Sequence, residues 1–258
     1  MSTVDADPVL HPDEQINDDA DSSIETNIIF QMTRSKMSVS VWSDLQHNLF
    51  LLTFGDKLGL APPNVPGAKV GRVLDVGTGT GIWAIDYADE HPEAEVIGVD
   101  LSPIQPAFNV KPGGYVEFQE TGGIILSDDG TLTADHALSK WCNLLGQAFT
   151  KLGSTSIKFD RIKAIMEEVG FIDIVDTRFK WPTNPWPGDK KYKELGTWNN
   201  YNASNALESL TMASFSRAHG WSRDEVIMFL VDVRKDLNNP CVHAYNPICC
   251  IYGKKPDV

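Results

Sequence analysis

Cysteine is scarce in this 258-residue chain, which has four: Cys142, Cys241, Cys249 and Cys250. None sits in a Cys-x-x-Cys pair or a metal-like pairing with histidine. That predicts reduced, buried thiols rather than a disulfide framework or a zinc site. No apolar run reaches the length of a membrane span, and the N-terminus lacks the basic start and apolar core of a signal peptide. The expected location is therefore cytoplasmic or nuclear, with no membrane as partner. Basic residues are the second shortage: 22 Lys and Arg face 35 Asp and Glu, a net charge of −13. Attraction to phosphates needs a basic face, so no nucleic acid is expected as partner either. No Lys or Arg precedes Arg34, whereas Asp5, Asp7, Asp13, Glu14, Asp18, Asp19, Asp21 and Glu25 crowd the start. A segment that repels itself and has little to bury reads as a disordered acidic tail over 1–27. Residues 28–258 are long enough to bury the core of one α/β domain.

Hydrophobic periodicity divides that domain. The run from Trp42 to Leu60 has Leu45, Leu49 and Leu52 at helical spacing, with Ser43 or Asp44 as N-cap. After the breaker APPNVPGAK, VGRVLDVGTG is a buried strand entering a glycine turn, IWAIDYADEHP a helix and AEVIGVD a second buried strand. Continuous apolar strands alternating with helices mark a parallel sheet covered on both faces. GYVEFQE is the next strand. The following helix places Leu138, Trp141, Leu145, Ala148 and Leu152 on one side. SIKFDRIKAIMEEVG is a helix ended by Gly170, where a left-handed residue is needed. FIDIVDTRFKW is a strand, and Lys190 to Ala218 a helical stretch. The last helix opens on a Ser222–Glu225 capping box and stops before Pro240, and HAYNPICCIYG is the final strand.

The string VLDVGTGTGIW carries the chemistry. Asp75 precedes Gly77, Thr78, Gly79 and Gly81 at a strand-to-helix turn, and Asp100 ends the next strand. Glycines let a backbone turn tightly and approach a ligand with no Cβ in the way, and the helix N-terminus beyond offers N–H donors. Asp100 is placed to accept hydrogen bonds from two ribose hydroxyls. A dinucleotide fingerprint would need its third glycine at Ile82, so the spacing fails. A carboxylate at Asp75 would repel a pyrophosphate but attract an ammonium and a sulfonium, the charges of S-adenosylmethionine.

The stretch VLDVGTGTGIWAIDYADEHPEAEVIGVDLSPIQP resembles the LaeA-like methyltransferases of filamentous fungi. So do DLQHNLFLLTFGDKLGLAP, KPGGYVEFQE, the WCNLLGQAF helix, ELGTWNN, GWSRDEVIMFLVDVRKDL and HAYNPICCIYGKKP, which together span roughly residues 44–256. The resemblance implies an α/β fold with a Rossmann-like class I methyltransferase sheet and helices on both faces. It implies S-adenosyl-L-methionine as cofactor, with Asp75, Gly77, Thr78, Gly79 and Gly81 at its methionine end and Asp100 on the ribose. It also implies a transferase of secondary-metabolite biosynthesis with a small-molecule methyl acceptor. The alternative is a catalytically impaired accessory or regulatory protein acting through a protein partner.

Two departures bear on that choice. Only AFNV lies between Pro106 and Lys111, where the family carries a strand, an adenine-contacting acidic loop, a further strand and a helix. A crossover between parallel strands takes a dozen or more residues, so that block cannot fit and the sheet is expected to lack its third and fourth strands. The gap reads either as codons skipped in the coding sequence or as a reduced protein with weakened cofactor affinity. In the second case the strand at 115–120 could slide into the vacant place, since unpaired edges are costly. The second departure is ETNIIFQMTRSKMSVSVW, which replaces a segment that in relatives helps to close over the cofactor. His47, His136 and His243 lack metal-ligand spacing. His243 and Tyr245, before the last strand, read as a packing pair or as a base near an acceptor. Glu120 could face the crevice or be a solvated strand end. Trp141, Trp181, Trp186, Trp198 and Trp221 read as helix packing, and no catalytic residue is assigned.

Overall fold

The computed structural model describes residues 30–32, 40–99, 110–153 and 158–257. The tail assigned to 1–27, Asp100 and the Pro106–Lys111 junction up to residue 109 lie outside the described residues. The elements run β1 (Phe30–Met32), α1 (Ser40–Phe54), β2 (Arg72–Val76), α2 (Ile82–Glu90), β3 (Glu95–Val99), β4 (Tyr115–Thr121), α3 (Ala137–Lys151), α4 (Phe159–Val169), β5 (Ile172–Pro182), α5 (Lys190–His219), α6 (Arg223–Leu237) and β6 (Tyr245–Lys254). Local signals set several boundaries. Gly170 ends α4 at φ 95°, and Ser222 and Glu225 form the reciprocal capping box of α6. The first helix starts earlier and stops sooner than its periodicity suggested. Ser43 and Asp44 fall inside α1 rather than capping it, and Gly55 and Asp56 turn the chain at φ 67° and 62°.

The strands form two three-stranded sheets. One is parallel, in the order β1-β2-β3, and the other antiparallel, β4-β6-β5. The place beside β2 is taken by β1, with Phe30 opposite Leu74 and Met32 opposite Val76. Sequence reasoning offered that place to the strand at 115–120. Instead that strand pairs along its whole length with β6, from Tyr115 opposite Lys254 to Thr121 opposite Ile248. The backbones of β1 and β4 run within 8 Å of each other, so the sheets meet there in the order β3-β2-β1-β4-β6-β5. A short stretch ahead of α1 thus stands where the parallel sheet would otherwise present an unpaired edge.

Alternation along β6 gives the antiparallel sheet two dry faces. Ile248 and Cys250 pack with Leu49, Phe50 and Phe54 of α1, Leu195 of α5 and Trp181. Cys249 and Ile251 pack with Ile162 and Met166 of α4. A third cluster joins α3, α5 and α6 through Leu138, Trp141, Leu145, Leu207, Phe215 and Leu230. Among the described residues the parallel sheet contributes to a cluster of Val73 with Leu58, Val70, Trp83 and Tyr87. Three packing expectations need correction. Leu152 is exposed because α3 ends at Lys151. Trp198 lies on an open side of α5. Cys241, in the turn before β6, is exposed, and Cys142 only half-buried, while Cys249 and Cys250 are buried as expected.

Candidate functional site

The glycine turn grows directly out of β2. Asp75, 1% exposed, is the penultimate strand residue. The chain then folds over the end of β3, with Gly77 N and Thr78 N both donating to the Val99 carbonyl, at 2.7 and 3.1 Å. Gly77, Gly79 and Gly81 take φ 87°, 55° and 81°, a region that strains any residue with a Cβ. Gly81 N closes onto Thr78 O at 2.7 Å, and Ile85 N onto Gly81 O begins α2. The structure therefore places Gly77, Thr78, Gly79 and Gly81 on one turn and Asp75 in the strand that leads into it. Asp100 follows Val99 in sequence and lies outside the described residues.

Three residues that sequence reasoning left out of the site support this turn. Gly98 lies under Thr78, and a Cβ built on it would come 2.6 Å from Thr78 Oγ1. A lone glycine inside a strand signals such a close approach, so this one was legible in principle. Asp44 of α1 accepts from the Thr80 hydroxyl at 2.7 Å. His47 Nε2 meets Asp86 Oδ2 of α2 at 2.8 Å. These two contacts pair positions 36 and 39 residues apart, which no local pattern reveals. The Thr78 hydroxyl is buried with no hydrogen-bond partner among the described residues.

A buried polar centre ties this half to β4. The Leu58 carbonyl accepts from Trp83 Nε1 and from Gln119 Nε2, both at 2.9 Å. Glu117 accepts from Leu60 N at 2.9 Å, from Ala61 N and from Asn64 Nδ2, and Gln119 Nε2 donates to it at 2.7 Å. Burial pushes the Glu117 carboxyl above its ordinary range, and these donors only partly oppose that shift. The same contacts fix the direction of β4. Trp83, early in α2, shares Leu58 with Gln119, while Tyr87, one turn later, reaches the Pro63 carbonyl. Glu117, two residues before Gln119, likewise reaches towards Asn64. α2 descends from the carboxyl end of β2, so β4 rises with β2 and its end at Thr121 lies on the edge of the glycine turn. Ligands in open α/β sheets bind outside that edge.

His243 and Tyr245 lie on this edge too, since Tyr245 exchanges backbone hydrogen bonds with Leu126 just beyond β4. Tyr245 donates its hydroxyl to Asp128 at 2.7 Å, and Lys180 meets the same carboxylate at 2.7 Å. These partners hold the Asp128 carboxyl below its usual range. Glu120 sits one residue before the strand end, opposite Cys249 and on the face of Phe118 that α4 covers. Among the described residues no cluster of His, Cys, Asp or Glu could hold a metal, and no helix is long and apolar enough to cross a membrane.

A parallel strand–glycine turn–helix–strand unit followed by an antiparallel β4-β6-β5 sheet, with helices on both faces, defines an α/β methyltransferase domain. No family model matches the chain. It is 33% identical to the probable methyltransferase tdiE of Emericella nidulans, over 82% of this chain and 80% of that protein. It is 32% identical to the secondary metabolism regulator LAE1 of Cochliobolus heterostrophus, over 83% and 86%. Methyltransferase pytC of Aspergillus terreus is 30% identical over 83% and 79%. The chain belongs to the LaeA-like methyltransferase family. Its alignment with tdiE runs over 257 positions, although 82% of 258 residues is about 212, so about 45 positions of tdiE have no counterpart here. Among solved structures, a phosphoethanolamine N-methyltransferase 2 of Haemonchus contortus, in complex with S-adenosyl-L-methionine, aligns with TM-score 0.38 and 16% identity. That alignment covers 72% of this chain and 49% of the solved one.

Proposed function

We propose that this chain is an S-adenosylmethionine-dependent methyltransferase of fungal secondary metabolism that methylates a small molecule. One observation carries the reading: a turn with three glycines at positive φ joins the strand that carries the buried Asp75 to the head of α2. The residues present fit the methionine end of the cofactor. No side chain occupies the turn at Gly77, Gly79 or Gly81, and a carboxylate at Asp75 favours ammonium and sulfonium over phosphate. Asp75, Gly77, Thr78, Gly79 and Gly81 would hold that end, and Asp100 the ribose. When bound, the cofactor supplies a methyl group on a positively charged sulfur. The chain's part is to align and to exclude water, which is most of what such a transfer requires. α1 is tied to the turn by Asp44 and to α2 just beyond it by His47.

Calorimetric titration with S-adenosylmethionine and its demethylated product is the direct test. Binding is expected, and Gly79→Val should abolish it by placing a branched side chain where φ is 55°. No binding at millimolar ligand, or wild-type affinity in Gly79→Val, would remove the reading.

A second reading is favoured by the roughly 45 positions without counterpart and by the regulators among the relatives. In it, a catalytically impaired protein acts through a protein partner. Partner capture unaffected by Asp75→Ala and Asp100→Ala would support it over the first.

A further inference from the structure

On the carboxyl edge of β4, away from the glycine turn, His243 is held in a way that packing alone does not require. Its Nδ1 meets Asp129 Oδ2 at 2.5 Å. Asp129 is itself fixed through its other oxygen by Ser127 Oγ at 2.8 Å and by the Thr131 hydroxyl and amide at 2.8 and 3.1 Å. The backbone N–H of His243 donates to Thr131 Oγ1 at 2.8 Å, so the loop and the strand entry lock each other. The indole of Trp186 stacks on the imidazole at 4.8 Å between centroids and is anchored by its own Nε1 on the Ala244 carbonyl. Asn199 and Asn200 in turn hold the backbone of Pro182 and Thr183, which leads to Trp186. Nδ1–H thus donates to a carboxylate, and the lone pair lies on Nε2, for which the described residues offer no hydrogen-bond partner. The ring is part-exposed, with its side chain 37% accessible.

We propose that His243 is the general base for the methyl acceptor and that Asp129 is its positioning residue, an inference that rests on the methyltransferase reading. β2 and β6 are separated by β1 and β4: two hydrogen-bonded spacings of roughly 4.8 Å and one gap of up to 8 Å where the two sheets meet, roughly 14–18 Å in all. A methyl donor seated at the glycine turn and an acceptor beside His243 would meet over that interval. As the acceptor oxygen forms its bond to the methyl carbon, the carbon–sulfur bond breaks and its electron pair returns to sulfur, which loses its positive charge. The acceptor's proton passes to Nε2, and the imidazolium is stabilised by the Asp129 carboxylate and later releases the proton to water. The acceptor class is a phenolic hydroxyl. Such a proton is acidic enough for an imidazole to take, whereas an amine losing a methylation proton needs no base of this kind. The Trp186 ring beside the imidazole suits an aromatic substrate.

The test uses the full chain, S-adenosylmethionine and a panel of naphthols and substituted phenols, with donor affinity measured separately by calorimetry. His243→Asn should lower kcat by on the order of a hundredfold or more with donor affinity and melting temperature unchanged. Asp129→Asn should lower kcat less while leaving KM intact, and Asp129→Glu should restore part of it. Donor binding with no methylated phenol would overturn the acceptor class, and wild-type turnover in His243→Asn would overturn the base. Absence of donor binding in the wild type would instead bring down the methyltransferase reading, and this role with it. If His243→Asn unfolds, the KM-against-kcat split in Asp129→Asn decides: a loss in KM alone would mean a merely structural pair.

Discussion

In the antiparallel half, β6 lies between two partners and buries Ile248, Cys249, Cys250 and Ile251 completely, whereas in the parallel half β3 leaves Ile97 39% exposed at the sheet's edge. The first half is covered by α1, α4 and α5, the second by α2 and the loop around Leu58. About 45 positions of tdiE have no counterpart in this chain, and a block missing between β3 and β4 would fall next to the second half. The contrast teaches where the cost of a shortened chain lands. The part whose central strand is paired on both sides and covered on both faces packs as a core, and the part that carries the glycine turn has β1, a short strand from ahead of α1, at its inner edge. The two are sewn together by Glu117 and Gln119 on one side and the segment Leu58–Asn64 on the other.

The largest effect that tests this contrast is a core truncation. Ile251→Ala should cost about 3–4 kcal/mol in denaturant unfolding, because a fully buried side chain between β6 and α4 leaves a cavity. Ile97→Ala should cost well under about 1 kcal/mol. Similar losses at the two sites would show that the halves are equally packed.

Next comes the missing block itself. A version carrying that segment from a relative should bind S-adenosylmethionine about thirtyfold to a thousandfold more tightly. Burying one aromatic ring and its hydrogen bonds is worth on the order of 2–4 kcal/mol. Its new strand would compete with β1 for the edge of β2. Equal affinity in the two versions would mean that the pocket is complete without the block.

Glu117 tests the seam. Removing its carboxyl in Glu117→Ala strands the amides of Leu60 and Ala61 and should cost about 2–3 kcal/mol. Its folded-state pKa lies above the ordinary 4.5, so the fold binds this proton more tightly than the unfolded chain does. The contribution is fully present below the unfolded value and fades as pH rises through the folded one. Glu117→Gln should flatten that part of the stability–pH curve, and an unchanged slope would show that the carboxyl titrates normally.

Truncation from the N-terminus separates tail from strand by a smaller margin. Deleting residues 1–27 should leave the melting temperature within about 1 °C, whereas deletion through residue 39 also removes β1 and should lower it by roughly 2–8 °C. Identical melting curves would mean that β1 contributes no pairing energy.

What could be read from the sequence follows the range of the interactions. The capping box of Ser222 and Glu225 and the Gly170 terminator were legible because both are settled within four residues. So was the turn of Gly77, Gly79 and Gly81, whose spacing reports a backbone requirement. The place of Phe30–Met32 was not, because its partner strand lies 44 residues further on and no local pattern announces the pairing. Nothing local marked Glu117, since Leu60, Ala61 and Asn64, which bind its carboxyl, lie 53 to 57 residues earlier. Periodicity gave α3 its buried side but not its end, so Leu152 was assigned to a core that stops at Ala148. The His243–Asp129 pair spans 114 residues and has no motif.

The smallest effect concerns the support under the glycine turn. A Cβ at Gly98 would stand 2.6 Å from Thr78 Oγ1, 3.0 Å from its Cβ and 3.1 Å from its Cγ2, so the threonine must move. Gly98→Ala also restricts the unfolded chain, which favours folding by a few tenths of a kcal/mol in a strand. Global stability should therefore change by less than about 1 kcal/mol. The displaced Thr78 belongs to the turn itself, with its amide on Val99 O at 3.1 Å, and shifting it moves the flanking glycines relative to Asp75. Cofactor affinity should fall about tenfold, roughly 1.4 kcal/mol, while the melting temperature barely moves. Thr78→Ala removes the oxygen and the methyl that collide, leaving a single Cβ to accommodate. In the double variant the affinity should return to that of Thr78→Ala alone, the signature of two residues coupled by contact. Additive losses in that cycle would show that Gly98 acts on the ligand by a route other than Thr78.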